Sequence, residues 1–411
     1  MSQLLSFEDA RDRLLAQAAA PDAIETIPLM EADGRVLARG LVSTLNVPAW
    51  DNAQMDGYAV RTVELAGGDV HKVFRVSQRI AAGHQGRALE EGTVARIFTG
   101  APLPSGADAV VMQEQVRVVD GGVCFDVVPR SGDWVRRTAE DIEQGAEILS
   151  AGTRLAPAAV GLAASVGIAE VPVYVRPRVA CFFTGDELVM PGRPLPPGSI
   201  YNSNRFVLNA LLKRLGCEVH DLGIVEDDRE ATRQALRRAA RQADLIITAG
   251  GVSVGEEDHV RPAVEAEGEI DLWRLAIKPG KPLAYGRVRR PDAEGRFAHF
   301  IGLPGNPVSA FVTFLTVVRP FVLKLQGVQN VLPKAVMAVS GFEWSRPDMK
   351  RREFLCASLQ PDSRRVTLFR NQGSAVMTSA VAGDGLIDNP VGQSIRPGDP
   401  VRFLPFPDLL N

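Results

Sequence analysis

Ala243 to Asp258 reads ADLIITAGGVSVGEED, and this stretch decides how the rest of the chain is read. Leu245, Ile246 and Ile247 form a short apolar run of strand type, Gly250 and Gly251 break it, and Gly255-Glu256-Glu257-Asp258 opens a helical pattern. That order builds an anion site. At a strand-to-helix junction glycines let the backbone turn with positive φ, and the free N–H groups of the first helical turn point into a cleft. The cluster GLPGNPVS, Gly302 to Ser309, repeats the construction: an apolar strand, a Pro/Gly turn, then a long apolar helix from about Val308. Two such loops in one domain predict a phosphate or oxyanion held between them.

Outward from this stretch the chain alternates strand and helix. Val179 to Phe183 and Glu218 to Leu222 read as strands, and Leu208, Leu211, Leu212 and Leu215 mark one helix face closed by Gly216. Asp228 can cap a helix through Arg241, and further strands are expected near Leu272 to Ile277 and Phe297 to Leu303, before a helix to about Leu325. The expected fold is a doubly wound α/β domain over 177–328, with ligands at the carboxyl ends of its strands. On either side the texture differs. Residues 46–145 carry short β-like runs, among them Lys72 to Val76, Val94 to Phe98 and Ala109 to Met112, and read as a strand-rich domain. Residues 329–411 return to strands and suggest a small β-barrel or sandwich. The remainder, 1–45 with 146–176, holds a first helix from Ser6 to Ala20 and a small helix from Pro157 to Gly167.

The totals set limits. A chain of 411 residues is too long for one ordinary core. A net charge of −3 gives no long-range attraction for nucleic acid or an anionic membrane, so anion recognition has to be local. Cys124, Cys181, Cys217 and Cys356 lie far apart with no CxxC, which argues against a disulfide framework or a zinc site. The N-terminus lacks a secretory pattern, and no run approaches the roughly eighteen uninterrupted apolar residues of a membrane span. A cytoplasmic protein is expected.

Acids placed at turns are the candidates for chemistry. Asp186 and Glu187 follow one strand, Asp227 and Asp228 follow another, and Asp258 sits on the first turn after the glycine loop. All three sites fall after strands of one parallel sheet and should share its rim, where carboxylates beside oxyanion loops suit Mg²⁺ bridging protein and phosphate oxygens. Helix capping is the plain alternative and accounts well for Asp228. Lys278 and Lys281, in AIKPGKP, fall at a strand end, and Arg274 shares the parity of Lys278, so these cations should face one phosphorylated ligand. Met55-Asp56-Gly57-Tyr58-Ala59, Phe98-Thr99-Gly100-Ala101 and Glu140-Asp141-Ile142 are, taken singly, ordinary turns.

Taken together, MDGYA, FTGAPLPSGADAVVMQE, GDEL, AGGVSVGEED, AIKPGKP and LPGNPVSA stand in the order found in one family. The chain resembles the molybdopterin molybdenumtransferases, MoeA, whose eukaryotic relatives include the E domain of gephyrin, and the resemblance spans essentially the whole sequence. It implies a four-part subunit and a homodimer whose active site lies between the α/β domain of one copy and the strand-rich domain of the other. It implies adenylylated molybdopterin and molybdate as substrates, Mg²⁺ as cofactor, and release of AMP. By motif it implies Asp56, Glu187, Asp227 and Asp258 as catalytic residues, with Glu187 and Asp258 on the metal. For ligand binding it implies Thr99, Asp141, Lys278, Pro304, Pro307 and Ser374, to which the residues themselves add the glycine loop at Gly250, Gly251 and Ser253 and the cations Arg274 and Lys281. An upstream adenylyltransferase and downstream molybdoenzyme-specific chaperones are the implied protein partners, with neither nucleic acid nor membrane.

Two departures from the family pattern stand out. Arg274 replaces a lysine, and Cys356 in EFLCA replaces an arginine, which removes a charge from the expected pterin-phosphate wall; Arg352, of the same strand parity, offers a partial replacement. Two other functions fit some of the motifs. A molybdopterin adenylyltransferase shares the α/β domain but would end near Leu325, and a non-catalytic carrier or scaffold would bind the pterin without metal-dependent AMP release.

Overall fold

The computed structural model describes residues 4–69, 71–251, 259–293, 295–361 and 363–410. At its centre a seven-stranded sheet runs in the order Leu4–Leu5, Gly268–Leu275, Pro282–Arg289, Phe297–Leu303, Leu245–Ala249, Arg178–Thr184, Glu218–Val225. The last four strands are mutually parallel, so their carboxyl ends form one rim. Strand Pro282–Arg289, which the sequence reading missed, runs antiparallel to both its neighbours.

Strand parity sorts the core into two layers. Val179, Cys181 and Phe183 pack with Leu208, Leu211 and Leu212 of helix Ser203–Arg214 and with the helix that follows Pro307. Ala180 and Phe182 face the other way, onto Leu236 and Ala239 of helix Arg229–Gln242 and Val260 and Val264 of helix Val260–Glu267. Both faces of each central strand are therefore apolar, as a sheet covered on both sides requires. Asp228 caps its helix as expected, accepting from the Glu230 and Ala231 N–H groups at 2.8 and 3.0 Å.

Pro307–Leu325 is long and apolar enough to cross a membrane by composition, and 94% of it is buried inside the protein. Its middle turn, Phe314–Val318, is π-helical. Pro320 has no N–H to donate to the preceding turn, and a widened turn just ahead of it accommodates that loss.

The first helix, Phe7–Gln17, starts at Ser6, whose side chain accepts the Asp9 N–H at 3.0 Å. Its partner surface lies in the same chain. Leu4–Leu5 extends the central sheet beside Gly268–Leu275, Phe7 packs edge-on against Phe354, and Lys324 donates to the Leu15 carbonyl at 2.8 Å. Residues 4–18 thus belong with the α/β layer, while Ile24–Pro28 pairs with Glu170–Tyr174 over a small core that includes Ala163 of helix Pro157–Ser165.

Between these lies a four-stranded sheet ordered Arg75–Ile80, Thr93–Ile97, Gly57–Val60, Ala109–Met112, with an apolar cluster on each side. At the other end of the chain Val336–Ser340, Arg352–Leu359, Arg365–Leu368, Gly385–Asn389 and Pro400–Pro405 form a barrel, closed by pairing of Arg352–Leu359 with Gly385–Asn389. Of the two expectations, barrel and sandwich, the chain forms the barrel.

Candidate active site

The carboxyl rim of the parallel strands opens into a cleft of about 1000 Å³, walled on its far side by the barrel and its loops. The glycine loop supplies the floor. Gly250 and Gly251 have φ of +95° and +61°, and a Cβ on Gly251 would lie 2.7 Å from a Val260 methyl, so this close approach to the helix needs glycine. The second loop is tied to the first: the Gly250 N–H donates to the Leu303 carbonyl at 3.1 Å. Pro304, Gly305, Asn306 and Pro307 then line the cleft, and the Val308 N–H, at the start of the buried helix, donates to the Ser374 carbonyl of a barrel loop at 2.9 Å.

The acids at this rim differ in what holds them. Glu187 is exposed, lines the cleft, and accepts no side-chain hydrogen bond among the described residues. Asp227 sits one layer back, where its Oδ1 accepts the buried Thr184 hydroxyl at 2.7 Å, and Thr184 itself reaches the cleft. Asp258 and Ser253 lie outside the described residues.

Cations come from both walls. Lys281 is exposed and lines the cleft; Lys278 lines it too, with its Nζ 3.1 Å from Glu353 Oε1 of the barrel. Arg274 does not line it, and the expected common strand for Arg274 and Lys278 is broken. Strand Gly268–Leu275 ends before Ala276, whose N–H donates to the Leu5 carbonyl, and Ile277–Lys278 then pairs with Arg352–Glu353 of the barrel. With a change of sheet between them, parity no longer relates the two side chains.

Cys356 corrects another expectation. It is buried within the main apolar cluster and does not line the cleft, and burial pushes its thiol up from the ordinary value despite a hydrogen bond with Ser379. Arg352 does not replace a missing charge there, because it is bound to Asp388 and Glu8 on the other side of the strand. The arginine that does line the cleft is Arg351, braced by Asp348, which takes its Nε at 2.8 Å. Sequence reading missed Arg351, along with Asn202 and Asn204. For Arg351 the available signal was parity: in a strand beginning at Arg352, residues 351 and 353 face one way and 352 the other. For Asn202 it was the cap position, since its side chain accepts the Arg205 N–H at 3.1 Å ahead of an amphipathic helix.

Asp56, Thr99 and Asp141 do not line this cleft. Asp56 and Thr99 meet each other: Oδ1 of Asp56 accepts the Thr99 N–H at 2.8 Å and its hydroxyl at 2.7 Å. The Thr99 N–H, then the hydroxyl, hold the Asp56 carboxyl below its usual range, with a smaller contribution from Arg96. Arg96 donates to the Gly57 carbonyl at 2.8 Å and stands over the Phe98 ring at 4.6 Å, which stiffens both turns. Asp141 is exposed, its N–H bound to the Val47 carbonyl at 3.0 Å.

A sheet covered by helices on both faces, with two glycine-containing loops, two lysines and Glu187 at one large cleft beside its carboxyl rim, defines a doubly wound α/β protein. Family models match along most of the chain: the MoeA N-terminal region, domains I and II, over residues 5–167, a "Probable molybdopterin binding domain" over 180–324, and the MoeA C-terminal region, domain IV, over 342–406. A molybdopterin molybdenumtransferase of Haemophilus influenzae is 43% identical over 79% of this chain and 78% of its own length. One from a Nostoc species is 39% identical over 82% and 77%. A crystal structure of a molybdopterin biosynthesis MoeA protein of Pyrococcus horikoshii superposes with a TM-score of 0.77 at 30% identity, covering 98% of this chain and 99% of that one. A second from that organism gives 0.82 at 26%, covering 98% and 100%. The chain belongs to the MoeA family of molybdopterin molybdenumtransferases, transferases of molybdenum cofactor biosynthesis.

Proposed function

We propose that this protein inserts molybdate into adenylylated molybdopterin and releases AMP with the help of Mg²⁺. The observation that carries this reading is the meeting, in one cleft, of the unengaged Glu187 carboxylate with Lys278, Lys281, Arg351 and two glycine loops. A dianionic ligand with several phosphate oxygens suits that set: backbone N–H groups and cations for the oxygens, and a carboxylate for a metal. An exposed helix terminus contributes only about 0.3–1 kcal/mol to holding an anion, so the cations and the metal carry most of the charge stabilisation.

Among the described residues no three His, Cys, Asp or Glu side chains are grouped as a metal cage. Mg²⁺ does not ask for one, since it commonly takes one or two carboxylates and completes its octahedron with phosphate oxygens and water. Glu187 fits that role by position and by having no competing side-chain partner among the described residues; Asp258 is its proposed companion from the motif. When bound, Mg²⁺ would neutralise charge on the phosphate that leaves with AMP. Asp227, held by Thr184, is proposed to orient the rim rather than bind metal directly. Gly251 and Ser253 would cradle the phosphate oxygens, Gly250, its N–H held by Leu303, would let the ligand approach the backbone closely, and Pro304, Pro307 and Ser374 would shape the oxyanion end.

The same reading assigns Asp56, Thr99 and Asp141 to the cleft of a second copy, completing each site of a homodimer across its two-fold axis. Their ordered geometry supports this, as does the exposure of Trp50 and Met55 close by in sequence. Mixing Asp56→Asn and Glu187→Gln proteins tests it: sites shared between copies regain up to about a quarter of wild-type turnover in the mixture, and sites confined to one copy regain none. The reaction itself is tested by AMP release from adenylylated molybdopterin with and without molybdate and Mg²⁺. Release that needs both is the expected result; tight binding without release would make the protein a carrier.

A further inference from the structure

We infer that Glu353 is a positioning residue: from within the barrel it fixes the Lys278 ammonium at the wall of the cleft, and so makes the barrel part of the binding apparatus. The inference rests on the reading of the cleft as an anion site.

The geometry begins where the chain leaves the central sheet. Ile277–Lys278 pairs in parallel with the first residues of Arg352–Leu359, which sets Lys278 opposite Glu353. The Glu353 side chain is fully buried, and each of its oxygens is engaged. Oε1 takes Lys278 Nζ at 3.1 Å; Oε2 takes the Trp344 indole N–H at 2.8 Å and the Asn389 amide at 3.3 Å. Lys278 is the one cation within salt-bridge distance of Glu353 among the described residues. A buried carboxylate stripped of its cation is strongly unfavourable, so Lys278 is not free to swing away as a surface lysine would.

Lys278 nonetheless keeps 42% of its side chain exposed, on the cleft side, while the Trp344 ring lies 5.9 Å from Nζ. Its charge is therefore offered to a ligand from a fixed point rather than from a flexible stem, and the loss of side-chain freedom is met in folding instead of in binding. Strand alternation adds a second consequence. Arg351 lines the cleft and the buried Glu353 shares its strand parity, while Arg352, between them, turns to Glu8 and Asp388, so one barrel strand both lends a cation and holds another.

A mere staple between barrel and sheet would account for the same contacts, and the two roles part in experiment. Glu353→Gln has a single oxygen for three donors; if that oxygen serves Trp344 and Asn389, its amide N–H₂ faces Lys278 and releases it. The full-length protein is labelled with an amine-acylating reagent and the ratio of Lys278 to Lys281 modification read by peptide mass. An amine released from its hydrogen bond to the buried carboxylate is open to the reagent, which should raise that ratio about fivefold in Glu353→Gln. An unchanged ratio in the folded variant overturns the inference. Should that variant fail to fold, the double variant Trp344→Phe with Asn389→Ala keeps the carboxylate but frees Oε2; about a twofold rise is expected, and no rise overturns. In turnover, Glu353→Gln should lower kcat for AMP release about tenfold with KM changed by less than about threefold, and Glu353→Asp should recover part of it. A staple lowers Tm and leaves kcat alone. If the wild type releases no AMP, the functional reading fails, while the labelling ratio still decides whether Glu353 positions Lys278.

Discussion

At the amino ends of the parallel strands, Asp244 takes the Arg178 backbone N–H at 2.9 Å, its guanidinium at 3.2 Å and Arg290 at 2.8 Å; at the carboxyl ends, Glu187 and Lys281 have no side-chain partner among the described residues. Acid and cations are spent on each other at the first end; at the second, Lys278 and Arg351 have carboxylate partners and Glu187 and Lys281 do not. Burial pushes the Asp244 carboxyl up, but the Arg178 N–H and the two guanidinium groups outweigh it and hold the group below its usual range. The neighbouring His299 is driven down to about 4 by burial, with Arg287 adding to the effect, and its Nδ1 lies 3.0 Å from the Tyr285 hydroxyl. The amino end also opens into a hollow of about 840 Å³, so volume alone does not mark a site. At the strand ends themselves the difference is that Asp244 is engaged by two arginines while Glu187 has no side-chain partner among the described residues.

The comparison breaks most clearly if function can be removed at the amino end or stability at the carboxyl end. Glu187→Gln should cut AMP release by about 10²–10³-fold, with a melting temperature within a degree or so of wild type, because the proposed function puts ligand and metal on a group that has no side-chain partner among the described residues. Turnover assays and thermal melts on the same preparation would check both halves. A pH dependence sharpens the other side. Unfolded, His299 titrates near 6.5, and folded near 4, so the unfolded chain binds the extra proton first as pH falls. Stability should therefore drop by about 2–3 kcal/mol between pH 6.5 and 4, and His299→Gln should flatten that part of the profile in urea denaturation.

Smaller effects follow. Asp244→Asn leaves Arg178 and Arg290 without their carboxylate and should cost about 2 kcal/mol in urea unfolding, with AMP release unchanged. Gly251→Ala, at φ +61° and against Val260, should cost about 1 kcal/mol of stability while lowering AMP release severalfold, since it shifts the loop that faces the ligand. A stability loss there without a loss of turnover would detach the glycine loop from the chemistry.

Much of this architecture could be read before any coordinates. The glycine loop, the second loop at Gly302, the caps at Ser6 and Asp228 and the strands around them follow from local rules: apolar periodicity, a side chain that satisfies an orphan N–H, and glycine where φ turns positive. Glu187, Lys278, Lys281, Pro304, Pro307 and Ser374 come to one cleft because all but Ser374 sit at element ends whose direction the α/β pattern dictates. Strand Pro282–Arg289 escaped notice because it follows a Pro-Gly-Lys-Pro turn with too few residues for a crossover, and so runs back antiparallel instead of continuing the alternation.

What sequence by itself determined is therefore local: which segments are strands and helices, where their ends are capped, and which ends carry acids, cations and glycine. Tertiary structure decided everything that depends on which sheet a residue joins. A parity argument holds only within one strand, and the change of sheet at Ala276 separates Arg274 from Lys278 and hands Lys278 to Glu353. Likewise, Cys356 and Arg352 share the parity expected of them, yet the closure of the barrel buries one and binds the other to Asp388 and Glu8, leaving Arg351 to face the cleft. Partners several dozen residues away, or hundreds in the case of Glu8, set those outcomes, and no local pattern carries that information.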